Sequence, residues 1–130
     1  MARQNPQPKP AEMRARTKQF ALRVLKLVRA LPRTDEGRTL GRQLLRSGTS
    51  VGANYRAVCR ARSTREFIAK MGIVLEEADE SCFWMELLIE GEVIKASRLQ
   101  PLLDEGNEIV AIVSASRRTA SRRNAAKLKA

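Results

Sequence analysis

Residues 63–95 read STREFIAKMGIVLEEADESCFWMELLIEGEVIK, and the fold follows from this stretch. Ser63 with Glu66 three places on is a capping-box pattern, in which hydroxyl and carboxylate each take an orphan N–H at a helix start. Phe67, Met71, Val74, Ala78, Cys82, Met85 and Ile89 then recur every three or four residues, the spacing of one apolar helical face. No proline interrupts, so the spacing predicts a helix from Thr64 to about Lys95. Such a helix must cover its apolar face with other elements.

The neighbouring segments supply them. Upstream, Phe20, Val24, Leu27 and Val28 form one face of a predicted helix over Ala11 to Ala30, which Pro32 ends. Thr34 caps the next helix, with Asp35 and Glu36 in its first turn. That helix is predicted to reach about Arg62 along the stripe Leu40, Leu44, Ser47, Val51, Tyr55 and Val58. Downstream, Ser97 is a candidate cap and Pro101 a candidate opening for a fourth helix to Ser121, with Leu102, Ile109, Ile112 and Val113 inward. Strand signals are weak. Short links between four amphipathic helices predict an all-α, antiparallel up-down-up-down four-helix bundle. Helices of roughly 20 to 30 residues at about 1.5 Å per residue make it roughly 30 to 45 Å long. Residues 1–10, bearing Pro6, Pro8 and Pro10, are expected to be a flexible leader. Residues 11–121 would form the bundle, and 122–130 a frayed basic tail.

Composition narrows the functional classes. The chain has 130 residues, no histidine, 4% aromatic residues and a net charge of +11. Without histidine, Cys/His zinc sets, Glu-x-x-His di-iron sites and histidine-activated nucleophiles cannot be built. Cys59 and Cys82 form no CxxC pair and are expected to be buried thiols. No metal, cofactor or catalytic residue is therefore predicted, and the chain is expected not to be an enzyme. No apolar run is long enough for a membrane span and none resembles a signal peptide. A cytoplasmic protein without membrane association is expected.

Charge is segregated along the chain. Residues 1–33 carry a net +8, residues 34–63 +4, residues 64–105 −6 and residues 106–130 +5. Anionic helix 3 could neutralise cationic helices 1 and 2 within one bundle, or faces of opposite sign could dock between subunits in a closed ring. At about 100° per residue, Phe83, Leu87 and Ile94 fall opposite the core stripe of helix 3, with Ile73 and Trp84 beside them. Several apolar residues on an outer face favour self-association, with these five as the oligomer interface.

On helix 2, Arg46, Ser50 and Asn54 share one side at i, i+4, i+8. A polar cluster is expected there with the acidic run of helix 3, namely Glu76, Glu77 and Glu80, setting helix register. Gly48 and Gly52 in the same region let another helix approach closely.

The cationic surplus favours a polyanionic partner. Phosphate contacts are assigned to Arg14, Arg16, Lys18, Arg23, Lys26 and Arg29 of helix 1 and to Arg56, Arg60 and Arg62 of helix 2. Arg117, Arg118, Arg122 and Arg123 join them toward the C-terminus, with Lys127 and Lys129 beyond. With few aromatics, recognition should be of nucleic-acid backbone or shape, and salt-dependent. The leading reading is a non-catalytic oligomeric scaffold binding RNA or DNA. The alternative is a protein–protein assembly module whose basic surface serves solubility or docks an acidic protein.

The run Gln43 to Ala57, with Arg46-Ser47, Ser50 and Asn54, followed by Ser63 to Lys70 and Glu76 to Leu88, resembles a known family. It is the four-helix-bundle family of proteins encoded in 23S ribosomal RNA intervening sequences, and the likeness spans roughly residues 15 to 115. The resemblance implies a homopentameric ring of bundles and kinship to the accessory protein of diversity-generating retroelements. That kinship implies a reverse transcriptase and nucleic acid as partners. The sequence departs from the family's pattern after Asn54, where Tyr55, Arg56, Ala57 and Val58 replace the usual Glu-Gly. The family name records a genomic location and implies no ribosomal activity.

Overall fold

Pro10 is the first helical residue of the chain, a position where its missing N–H costs nothing. The computed structural model describes residues 7–129, so residues 1–6 of the expected leader lie outside the described residues. Four helices follow, α1 (Pro10–Arg29), α2 (Asp35–Val58), α3 (Thr64–Glu90) and α4 (Ala96–Lys129), with no strand among the described residues.

The sequence signals act where they were read. Thr34 Oγ1 accepts from Gly37 N–H at 3.1 Å to start α2, and Ser63 Oγ accepts from Glu66 N–H at 3.0 Å to start α3. The Glu66 carboxylate reaches back one residue further than the capping box requires, taking Arg62 N–H at 3.3 Å. Its other oxygen pairs with Lys70 at 2.9 Å.

Helix ends depart more. α3 stops at Glu90, and the Val93 and Ile94 N–H groups both turn back to the Leu88 carbonyl. Glu92 has φ 57°, the left-handed conformation that closes many helix C-termini. α2 ends at Val58 rather than near Arg62. α4 begins five residues before Pro101, which leaves Ser97 inside the helix rather than capping it. Pro101 withholds one helical hydrogen bond, but Ser97 and Pro101 are both exposed, so water can take the Ser97 carbonyl. At its far end α4 continues as helix through Lys129, across the segment expected to fray.

Each helix touches its two neighbours, α1–α2, α2–α3, α3–α4 and α4–α1, and the last contact is the slightest. Phe20 and Val24, Leu44 and Val51, Val74 and Met85, and Leu99 and Ile109 meet in one core. α1 and α2 approach closely at Gly48 and Gly52. A Cβ on Gly48 would lie 2.8 Å from Val24 Cγ2, and one on Gly52 would lie 3.2 Å from the Thr17 carbonyl oxygen. The α1–α4 contact is reinforced by Arg16, which pairs with Glu105 at 2.6 Å and Glu108 at 2.7 Å. Among the described residues no helix is long and apolar enough to cross a membrane.

Candidate nucleic-acid interface

The outer face of α1 is largely cationic, although Leu22, 50% exposed, stands among its basic residues. Arg14, Lys18, Lys26 and Arg29 are all exposed, and none makes an ion pair among the described residues. Gly52 lies against the backbone of Thr17 and Lys18, which brings the second half of α2 beside them. Arg56 in the last turn of α2, also exposed, continues the strip, while Arg60 in the turn after it is exposed beside Arg62, Glu66 and Lys70 on the α3 side. Buried Tyr55 lies just beneath. Burial pushes its phenol up to about 12, with Cys59 adding to the shift and nearby Arg14 drawing it partly back.

Not every cation assigned from sequence belongs to that strip. Arg16 is held by Glu105 and Glu108, and its hydrogen bond to Glu105 raises its pKa further. Arg117 is half-buried over Gly72 and donates from Nε to the Ile68 carbonyl at 3.0 Å, so it serves the α3–α4 contact. Arg23 is half-buried beside Arg98 in a small groove between α1 and α4. Arg118 and Arg122 are exposed on α4. Arg123 and Lys127 meet Arg62 around a larger groove of about 800 Å³ at the end where α2 hands over to α3. Tyr55, Val58 and Phe67 line that groove too, as does Cys59, which is exposed and not the buried thiol expected, because α2 ends just before it. Cys82 is buried as expected, and burial, helped by Asp79 and Glu86, pushes its thiol up to about 12.

One cationic cluster escaped the sequence reading. Arg29, Arg33, Arg38 and Arg42 line a single groove of about 260 Å³ at the α1–α2 turn. The signal was present as two i, i+4 arginine pairs, Arg29/Arg33 spanning Pro32 and Arg38/Arg42 following it, which the turn folds together.

The polar residues of α2 and α3 assigned to one cluster divide. Arg46 pairs with Glu77 at 3.2 Å and with Glu80 at 2.6 Å, although it is exposed. Its hydrogen bond holds Glu80 below the usual carboxylate range, and the Trp84 indole N–H, donating to the same carboxylate at 3.2 Å, helps. Asn54 does not reach α3; it donates to the Ser50 carbonyl of its own helix at 2.8 Å. Glu76 is exposed and makes no ion pair among the described residues. The buried polar contact across the seam is instead Ser47 with Ser81, Oγ to Oγ 2.9 Å. Ser47 stands within the apolar stripe of α2, and a small hydroxyl in such a stripe carries no signal that sets it apart.

Of the five residues expected on the outer face of α3, Ile73, Phe83 and Leu87 are 46%, 49% and 38% exposed. Trp84 is half-buried and meets Phe83 edge-on, with ring centroids 5.1 Å apart. Ile94 is buried. Its assignment assumed a helix running to Lys95, and the chain turns at Gly91 and folds Ile94 back under α3.

The family model of the 23S rRNA-intervening sequence proteins matches residues 10–115. The chain belongs to that family. A crystal structure of a protein of unknown function from the S23 ribosomal protein family of Bacteroides thetaiotaomicron VPI-5482 is 32% identical to it. The two align with a TM-score of 0.78 over 85% of this chain and 99% of that one. No curated protein matches the chain. The α1–α2 strip, the four-arginine groove and the outer face of α3 all fall within the residues matched to the 23S rRNA-intervening sequence proteins. The α4 cations from Arg117 onward lie beyond them.

Proposed function

We propose that the chain is a non-catalytic, cytoplasmic, homo-oligomeric scaffold that holds nucleic-acid backbone on the outer strip of α1 and α2. The observation that carries the reading is Arg14, Lys18, Lys26, Arg29 and Arg56, exposed and without carboxylate partners among the described residues. Cations that were merely solubilising would be expected to intersperse with acids, whereas α1 and α2 carry only Glu12, Asp35 and Glu36, each in the first turn of its helix. Phosphates spaced along a backbone fit such a strip, and release of their counterions would drive binding. The scarcity of aromatic residues supports backbone or shape recognition over base stacking.

The bundle is proposed to be antiparallel, up-down-up-down, which the short 59–63 link and the pairing of Arg46 with Glu77 and Glu80 support. A ring, pentameric by family resemblance, is proposed to form with Ile73, Phe83 and Leu87 of acidic α3 as its contact. Kinship to the retroelement accessory protein would make a reverse transcriptase a further partner.

Fluorescence anisotropy with a structured RNA hairpin tests the reading at about 50 and 200 mM salt, where several phosphate contacts should cost affinity by orders of magnitude. Replacing Arg14 and Lys18 by Gln should lower affinity at both concentrations and flatten the salt slope. RNA binding no tighter than that of polyglutamate would leave the protein–protein assembly reading in its place.

A further inference from the structure

The four-arginine groove at the α1–α2 turn differs in kind from the strip. Arg29 and Arg33 come from the end of α1 and the turn, Arg38 and Arg42 from the first two turns of α2, and all four are exposed. They surround about 260 Å³ floored by buried Leu31 and by Pro32, with no carboxylate among the lining residues. Asp35 and Glu36 stand in the first turn of α2 nearby, but the one ion pair the cluster makes among the described residues is Arg38 to Asp35 at 3.9 Å. That is beyond hydrogen-bond length. Arginine keeps its charge at any ordinary pH. The four guanidinium groups therefore bring four positive charges to one groove, with their donors unspent on protein carboxylates within hydrogen-bond length.

The lining of the groove narrows its ligand: four arginines and no carboxylate around one opening favour a compact, highly charged anion. A phosphodiester offers one negative charge, whereas a phosphate monoester offers about −1.5 to −2 and three acceptor oxygens. Several guanidinium forks around one group match the monoester better, because each fork can grip two oxygens. Arg29 belongs to the strip as well, so strip and groove are continuous.

We infer that this groove receives the terminal phosphate monoester of a nucleic-acid strand whose backbone lies along α1 and α2. The inference rests on the proposed function for the identity of its ligand. It adds end recognition, which the strip alone does not provide.

The test compares one RNA hairpin carrying a 5′-phosphate, a 3′-phosphate or only hydroxyl ends, together with a neutral phosphoserine peptide. The readout is the ratio of affinities. A terminal phosphate at either end should tighten binding by roughly tenfold, the scale of an added charge-assisted pair. The double variant Arg33→Gln/Arg42→Gln, confirmed folded by circular dichroism, should bring the ratio close to one. Arg33→Lys/Arg42→Lys, which keeps charge but loses the fork, should fall between. Equal affinity for phosphate-ended and hydroxyl-ended RNA overturns the groove while leaving the strip standing. Absence of any RNA binding overturns both. A phosphoserine peptide bound as tightly as the phosphate-ended RNA reassigns the groove to phosphoproteins and overturns the inference.

Discussion

Ser47 and Ser81 face each other in the α2–α3 seam, both fully buried. Ser47 Oγ also lies 3.3 Å from the Leu44 carbonyl and Ser81 Oγ 2.8 Å from the Glu77 carbonyl, so each hydroxyl keeps a partner if the other is removed. Ser47→Ala or Ser81→Ala should each cost about 1 kcal/mol. The double variant should cost less than the two together, and urea unfolding of all four proteins reads the difference. Nearby, Arg46 keeps Glu80 ionised into acid. A carboxyl whose folded pKa is lowered contributes stability above its unfolded value and loses it as pH falls through the folded one. Arg46→Gln should therefore raise the titration of Glu80 and remove stability chiefly above the carboxylate range. Trp84 is the sole tryptophan and donates to Glu80, so its fluorescence against pH follows that titration.

At the scale of elements, what was legible depended on whether a signal was local. The starts of α2 and α3 were readable because Thr34 and Ser63 act on N–H groups three residues away. The end of α3 was not, because Gly91 sits within an apolar-rich run whose helical spacing continues past it to Ile94. Pro101 misled for a different reason: an exposed proline near a helix start forfeits a bond that water can replace. The Arg46 pairs with Glu77 and Glu80 were foreseeable from charge and spacing, but the four-arginine groove needed the turn itself, which no single-helix periodicity contains. The α1–α2 seam offers its own test. Gly48→Ala gains roughly 1 kcal/mol of helix propensity but drives a methyl into Val24, an overpacking that costs about 1–3 kcal/mol. A net loss of about 1 kcal/mol is expected, seen as a lowered melting temperature, and Val24→Ala introduced alongside should recover the clash component.

For the whole molecule, the outer face of α3, where Ile73, Phe83 and Leu87 are exposed, is a surface apart from the cationic α1–α2 strip. Phe83→Asp with Leu87→Asp should reduce the mass seen by light scattering to that of one chain while leaving helical circular dichroism intact, since both residues face outward. Ile94→Asp should instead unfold the chain, because it buries a charge under α3. An unchanged mass for the Phe83/Leu87 variant would remove α3 as the contact. The two cysteines carry a practical corollary. At neutral pH Cys82 is buried and almost wholly protonated, while Cys59 opens onto the groove that Arg62, Arg123 and Lys127 surround. A maleimide dye should therefore attach at one position of the unaltered chain, placing a built-in reporter at the mouth of that groove and sparing the engineering that site-specific labelling usually demands.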